Sequence, residues 1–288
     1  MPRKRASRAV EGCARSGTRS LVELPRRRLR KHILSNWLQR LHPRPHAAAR
    51  LICFHHAGGS AAAFRLWPAR LPDFDVCAVQ LPGRANRFAE PALTHIDALL
   101  DALLPVLMPL LDRPYALFGH SMGSAVAGAV VQRLHAAGAA LPRRLFVSGR
   151  QAPHRPLPEW SLAGLSDAEV VAGVQHCFGS LPAEALATPE LLDMMLPVLR
   201  ADFALLQTLP RWPGPPSPVQ VVALGGDDDA AATPERMRTW QSFSHAPLRE
   251  HRLPGGHFYM DDHLDEVLAL VRGECGIAPP AELVPGAA

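Results

Sequence analysis

The sequence predicts an α/β fold: a mostly parallel central sheet with helices on both faces and an inserted helical lid. Three observations carry that expectation. Short apolar runs bounded by turn residues alternate with longer segments of helical periodicity. The turn Gly119-His120-Ser121-Met122-Gly123 stands between Tyr115-Ala116-Leu117-Phe118, which reads as a buried strand, and Ser124-Ala125-Val126-Ala127-Gly128-Ala129-Val130-Val131, which reads as a closely packed helix. After Ser148, strand patterns stop for about 70 residues while helical ones continue.

Composition is ordinary for a soluble enzyme. Its 288 residues could make one large α/β domain or two small ones, and can bury a core. Even the leucine-rich stretch from Leu99 to Leu111 is broken by Asp101, Pro105 and Pro109, so no run approaches the roughly 20 residues of a membrane span. The pI of about 9.3 comes from one end. Residues 1–50 carry 14 Lys and Arg against 2 Asp and Glu, leaving 17 against 24 in the rest. An acidic body is a poor electrostatic match for nucleic acid, and none is expected as a partner. Five cysteines show no C-x-x-C spacing and an odd count, which suits reduced thiols in the cytoplasm.

Taken in order, residues 1–35 are arginine-rich, acid-poor and short of apolar residues, and are expected to form a disordered extension. They lack the apolar segment of a secretory signal; an organellar transit peptide is the alternative. The domain is expected over 36–275, with a flexible tail at 276–288. Ile33, Leu34, Trp37, Leu38 and Leu41 recur at helical spacing, which fits a helix packed on the domain in preference to a membrane-surface helix behind the basic run. Arg50 to Phe54 is a strand, followed by the loop His55-His56-Ala57-Gly58-Gly59-Ser60, and Val76 to Gln80 is a second. Ile96 to Leu111 reads as a helix despite its prolines. The strand at Tyr115, a helix from Met122 to about Ala137 and a strand from Arg144 to Ser148 follow. The lid occupies about 160–209 and contains several helices, with Ser166-Asp167-Ala168-Glu169 as a capping box and Thr188 before Pro189 as a helix start. Val219 to Leu224 and Leu248 to Leu253 are the last strands, with a helix opening at Thr233-Pro234-Glu235 between them and another from Asp262 to Arg272 after them.

A serine hydroxyl needs an imidazole to take its proton, and the imidazole needs a carboxylate to hold its tautomer. Strand, G-x-S-x-G and helix suggest a nucleophile elbow that strains Ser121 and leaves room only for glycine two residues either side. Ser121, the acidic loop after Leu224 and His257 then occur in the Ser, acid, His order of α/β-hydrolases, each behind an expected strand. Among 14 histidines, His257 stands out by its place in the Gly255-Gly256 turn after the final strand. His56 and His120 are assigned structural or pocket-lining roles. Asp227, Asp228 and Asp229 compete for the acid; counting G-x-x-D from Gly226 favours Asp229. The backbone N–H groups of Ala57 and Met122 are the expected oxyanion donors. No metal site and no cofactor are expected: His55-His56 lacks zinc-ligand spacing, and Gly58-Gly59-Ser60 lacks the lysine of a phosphate loop.

Together these residues resemble a type II thioesterase, the discrete editing enzyme of nonribosomal peptide and polyketide synthesis. The resemblance runs from about Asn36 to Arg272. It rests on Trp37-Leu38 with Arg44-Pro45, Arg50 to Ser60, Gln80-Leu81-Pro82-Gly83-Arg84, Leu117 to Gly123, Phe146-Val147-Ser148-Gly149-Arg150 and Leu253-Pro254-Gly255-Gly256-His257-Phe258-Tyr259. Two departures stand out: His55 replaces a usual proline, and the family's Asp-x-Asp-Pro reads Asp227-Asp228-Asp229-Ala230.

The resemblance implies hydrolysis, through an acyl-enzyme, of acyl groups held as thioesters on the phosphopantetheine arm of acyl or peptidyl carrier proteins, by a monomer. Of the lid's apolar residues Val170, Val171, Phe178, Met194, Met195, Leu199 and Phe203, most are expected in the lid core and a few at the acyl pocket. A chain-terminating fatty-acyl thioesterase or a small-ester esterase would use the same chemistry. A non-enzymatic module recruited by the basic tail to nucleic acid or an anionic membrane is the rival from another class.

Overall fold

The structure, a computed structural model, describes residues 36–154, 162–179, 181, 183–210 and 215–277. Expectations for 1–35, Cys13 and 278–288 fall outside these residues. Among the described residues one sheet is formed by β1 (Leu38–Gln39), β2 (Ala49–Phe54), β3 (Phe74–Val79), β4 (Tyr115–His120), β5 (Arg144–Ser148), β6 (Gln220–Gly226) and β7 (Arg249–Leu253). Their spatial order is β1-β3-β2-β4-β5-β6-β7, with β2 to β7 parallel and β1 an antiparallel edge. The helices are α1 (Trp67–Arg70), α2 (Ile96–Leu107), α3 (Met122–Ala136), α4 (Asp167–Phe178), α5 (Ala183–Ala187), α6 (Pro189–Gln207), α7 (Pro234–Arg238) and α8 (Leu264–Cys275).

The central strands are buried and mostly apolar because both faces of the sheet are covered. Along β2, Ile52 and Phe54 pack with residues of α2 and α3, while Leu51 and Cys53 pack with Phe64, Trp67 and the α8 residues Val267, Leu268 and Val271. β4 repeats the alternation with Leu117 on one side and Ala116 and Phe118 on the other. Small residues let α3 lie close to the sheet: Ser124, Ala125, Ala127 and Gly128 are all buried.

Several boundaries differ from the sequence reading, three of them with a clear physical reason. Helical spacing around Trp37 gives way at Leu38, which pairs with Val79 while Gln39 pairs with Ala78. Pairing to an open sheet edge outweighs a weak helical pattern, and the Arg87 guanidinium stacks 3.9 Å over the Trp37 ring. Ile33 and Leu34 lie outside the described residues. β3 begins two residues before Val76 because the charge that interrupts its apolar run, Asp75, is satisfied where it is buried: Arg40 Nη2 lies 2.6 Å and Arg50 Nε 3.0 Å from its Oδ2. The helix from Ile96 stops at Leu107 and continues as a 3-10 turn over Met108–Leu110. Pro105 is accommodated on the exposed side of α2, whereas Pro109 lacks the N–H that would extend the ladder.

The lid helices α4 to α6 enter between β5 and β6. Glu169 closes the capping box by accepting the Ser166 N–H at 2.7 Å. Val170, Val174, Leu196, Leu199 and Phe203 make the lid's own core, whereas Leu205 and Leu209, farther along, join the main core. Pro197 lies between the two halves of α6. The chain turns outward from β2 to β3 and returns to β4 on the other side, so the β2 and β4 exit loops diverge at a crevice along the carboxyl edge.

Candidate active site

Ser121 sits at that crevice. Its φ of 54° and ψ of −116° put a non-glycine residue in strained backbone space. The strain is held by bonds to β5: the Ser121 N–H donates to the Ser148 carbonyl at 2.7 Å, and Ser124 Oγ bridges the Gly119 and Ser148 carbonyls at 2.8 and 2.9 Å. The flanking glycines have the steric reason that the motif implied. A Cβ on Gly119 would stand 2.2 Å from the Gly123 carbonyl oxygen, and one on Gly123 2.0 Å from that of Phe54.

The loops after β6 and β7 bring the acid and the imidazole together. Asp229 Oδ2 accepts from His257 Nδ1 at 2.8 Å, with both side chains buried. The other carboxylate oxygen, Oδ1, accepts the Ala231 N–H at 2.9 Å, which fixes the carboxylate plane. The two loops touch so closely that a Cβ on Gly226 would stand 2.2 Å from the Gly256 carbonyl oxygen. Asp227 instead pairs with Arg252 at 3.2 Å, and Asp228 is exposed. Of the three adjacent aspartates, Asp229 is the one that meets His257.

Ser121 and His257 line one cavity with His56, Ala57, Arg150 and Phe258 below and the lid residues Val174, Phe178, Leu199, Phe203 and Leu206 above. Of the lid residues singled out in the sequence, Phe178, Leu199 and Phe203 reach this chamber, while Met194 is exposed. Its volume is about 20 Å³, room for one water molecule. The Phe178 and Phe258 rings lie 4.8 and 5.2 Å from that of His257.

Three further imidazoles surround the site, and all are held neutral. Burial, then the neighbouring His257 and Arg84, pulls His56 down to about 4. Burial first, then His257 and His56, pulls His120 well below its ordinary range; its Nδ1 bonds Ser148 Oγ at 2.9 Å and its Nε2 is buried without a partner. His55 is likewise depressed by burial and Arg84. Arg150 is lowered to about 10 by burial alone.

In the loop after β2, the Gly58 N–H is taken by Asp202 of α6 at 2.8 Å and the Gly59 N–H by the His56 carbonyl at 3.1 Å. The Ala57 N–H makes no hydrogen bond among the described residues, and Met122 occupies the first position of α3, where an N–H has no helical partner. Asp202 was not singled out from the sequence. The signal for it is an acid on the apolar stripe formed by Leu199, Phe203 and Leu206. No group of three or more His, Cys, Asp or Glu among the described residues is placed to hold a metal ion.

A serine on a strained strand-to-helix turn, with an Asp–His pair from the exits of β6 and β7 whose imidazole faces the same chamber, defines a hydrolase of the α/β-hydrolase fold. The chain belongs to the thioesterase family, whose Thioesterase domain model matches residues 49–275, and it is a thioester hydrolase. It is similar to the solved type II thioesterase BorB from the borrelidin biosynthetic cluster, with 38% identity and a TM-score of 0.75 over 83% of this chain and 97% of that one. Thioesterase PikA5 of Streptomyces venezuelae is 33% identical over 264 residues, 88% of this chain and 93% of that one. The protein named linear gramicidin dehydrogenase LgrE of Brevibacillus parabrevis, whose name states another reaction, is 37% identical over 243 residues, 82% of this chain and 91% of that one.

Proposed function

We propose that the protein removes acyl groups from the phosphopantetheine arm of carrier proteins in nonribosomal peptide or polyketide synthesis, through an acyl-enzyme on Ser121. The observation that carries this reading is the buried Asp229–His257 pair opening, with Ser121, onto one chamber under a helical lid. Similarity to a type II thioesterase of a biosynthetic cluster supports the substrate class.

Ser121 Oγ attacks the thioester carbonyl carbon while His257 takes its proton, and Asp229 holds the imidazole in the tautomer that leaves Nε2 free to accept. The tetrahedral oxyanion is held by the Ala57 and Met122 N–H groups, the second at the positive end of α3. When the C–S bond breaks, the thiol leaves with the proton from His257. Water then attacks the Ser121 ester, gives its proton to His257, and the serine recovers that proton as the acid departs. No cofactor enters these steps.

The chamber is narrow, and an outward movement of α4 and the N-terminal half of α6 would widen it for an acyl chain. Pro197 interrupts the α6 ladder between the lid half and the anchored half, which suits it as the pivot. No helix among the described residues is long and apolar enough to cross a membrane. The protein acts as a monomer in the cytoplasm, where the buried Cys53 and Cys77 thiols remain reduced.

The test is release of acetyl groups from an acylated carrier protein. Wild type releases them, Ser121→Ala does not, and a fluorophosphonate probe labels Ser121. Unchanged release by Ser121→Ala would overturn the mechanism. Faster turnover of free esters or long fatty-acyl thioesters than of the acetylated carrier protein would overturn the substrate class.

A further inference from the structure

We propose that Asp202, carried by the lid helix α6 and neutralised by Arg84, is a positioning residue that holds the Ala57–Gly58 loop in place to bind the reaction's oxyanion. The inference rests on the reading of Ala57 as an oxyanion donor and adds the group that places it.

Asp202 and Arg84 are both buried and form a fork-to-fork pair, with Arg84 Nη1 2.6 Å from Asp202 Oδ2 and Arg84 Nη2 2.7 Å from Oδ1. Asp202 Oδ2 also accepts the Gly58 N–H at 2.8 Å. Arg84 Nη1 reaches the Gly59 carbonyl at 3.4 Å, and its Nε donates to the Pro82 carbonyl at 3.2 Å. Among the described residues, the hydrogen bonds that tie positions 56–59 to the rest of the protein run to these two side chains. The other bonds of the loop are internal, from His55 Nδ1 and the Gly59 N–H to the His56 carbonyl.

Two consequences follow for the chemistry. With the Gly58 N–H occupied, the adjacent Ala57 N–H is without a partner among the described residues, and the bond to Gly58 sets its direction. Gly58 itself has a φ of 73°, and a Cβ there would come within 3.1 Å of Leu199 Cδ1, so the loop is pressed against α6 where Asp202 grips it. An unpaired carboxylate this near a developing negative charge would oppose it; the bidentate guanidinium cancels that charge and leaves only the acceptor function. The anchored half of α6, packed into the main core through Leu205, makes Asp202 a stationary support while the lid half moves; past the end of the helix, Thr208 Oγ1 accepts the Ile96 N–H at 2.8 Å.

A support that acts through a transition-state donor affects kcat rather than KM, because the ground-state carbonyl makes little use of it. Asp202→Ala should lower kcat about 10- to 100-fold with KM within about threefold. A short alkylboronic acid, which forms a tetrahedral adduct on Ser121, should lose affinity by the same factor. Asp202→Asn keeps an oxygen for the Gly58 N–H and should recover part of both losses. Thr208→Val, which removes a different anchor of α6, should lower thermal stability with kcat within about twofold of wild type. Should Asp202→Ala fail to fold, Asp202→Asn decides by the same two readouts. The inference is overturned if folded Asp202 variants keep kcat and boronate affinity within about twofold of wild type, or if Thr208→Val loses both as they do. A wild-type protein that does not hydrolyse acyl-carrier thioesters would overturn the proposed reaction, whereas wild-type turnover with undiminished Asp202 variants overturns only this inference.

Discussion

Asp229 Oδ2 and His257 Nδ1 meet at 2.8 Å although they belong to loops behind different strands, and Asp229 is the buried member of three consecutive aspartates. Replacing the carboxylate by an amide keeps the shape but favours the wrong imidazole tautomer. Asp229→Asn should therefore cut kcat on an acyl-carrier substrate about 10³- to 10⁴-fold, with little change in thermal stability. Asp227→Asn and Asp228→Asn, at exposed positions, should stay within about threefold. Equal losses in all three variants would remove Asp229 from its role.

Backbone strain at Ser121 separates stability from activity. A φ of 54° costs serine on the order of 1–3 kcal/mol that glycine avoids. Ser121→Gly should be inactive yet about 1 kcal/mol more stable than Ser121→Ala in urea unfolding. A Ser121→Gly protein less stable than the alanine variant would contradict it.

Acid sensitivity should trace to the imidazoles around the site. His56 has its pKa lowered from 6.5 to about 4 when folded, so between those values the unfolded chain binds a proton that the folded one does not. Its contribution is fully present above about pH 6.5 and is lost as pH falls towards 4, at up to about 1.4 kcal/mol per pH unit. His55 and His120 act in the same direction. Urea unfolding of His56→Gln at pH 7, 5.5 and 4.5 should show a shallower fall than wild type; parallel curves would refute the assignment.

Chamber size should be adjustable from the lid. Phe178 packs 4.8 Å from the His257 ring and lines the chamber. Phe178→Ala should raise kcat/KM for octanoyl relative to acetyl thioesters by about tenfold. An unchanged ratio would place the acyl pocket elsewhere.

Much of this was legible along the chain because the signals are local. β5 has the bounds read from its apolar run, and the capping box at Ser166 closes as its spacing predicted. The steric demand for glycine at 119 arises within the same turn, whereas that at 123 comes from the Phe54 carbonyl of β2. Leu38 was misread because a two-residue edge strand carries no periodicity of its own; its conformation comes from Val79, 41 positions away.

The sequence by itself determined the alternation of strands and helices, the strained turn at Ser121 and the order of serine, acid and histidine, all of which depend on side-chain period and turn chemistry between near neighbours. Only the tertiary structure decided that Asp229 and not Asp227 faces His257, that Phe178 and Leu199 close the chamber, and that Asp202 joins Arg84 from 118 residues away. Which buried charge finds which partner is decided by packing, since an unpaired ion inside the core costs far more than any local preference can offset.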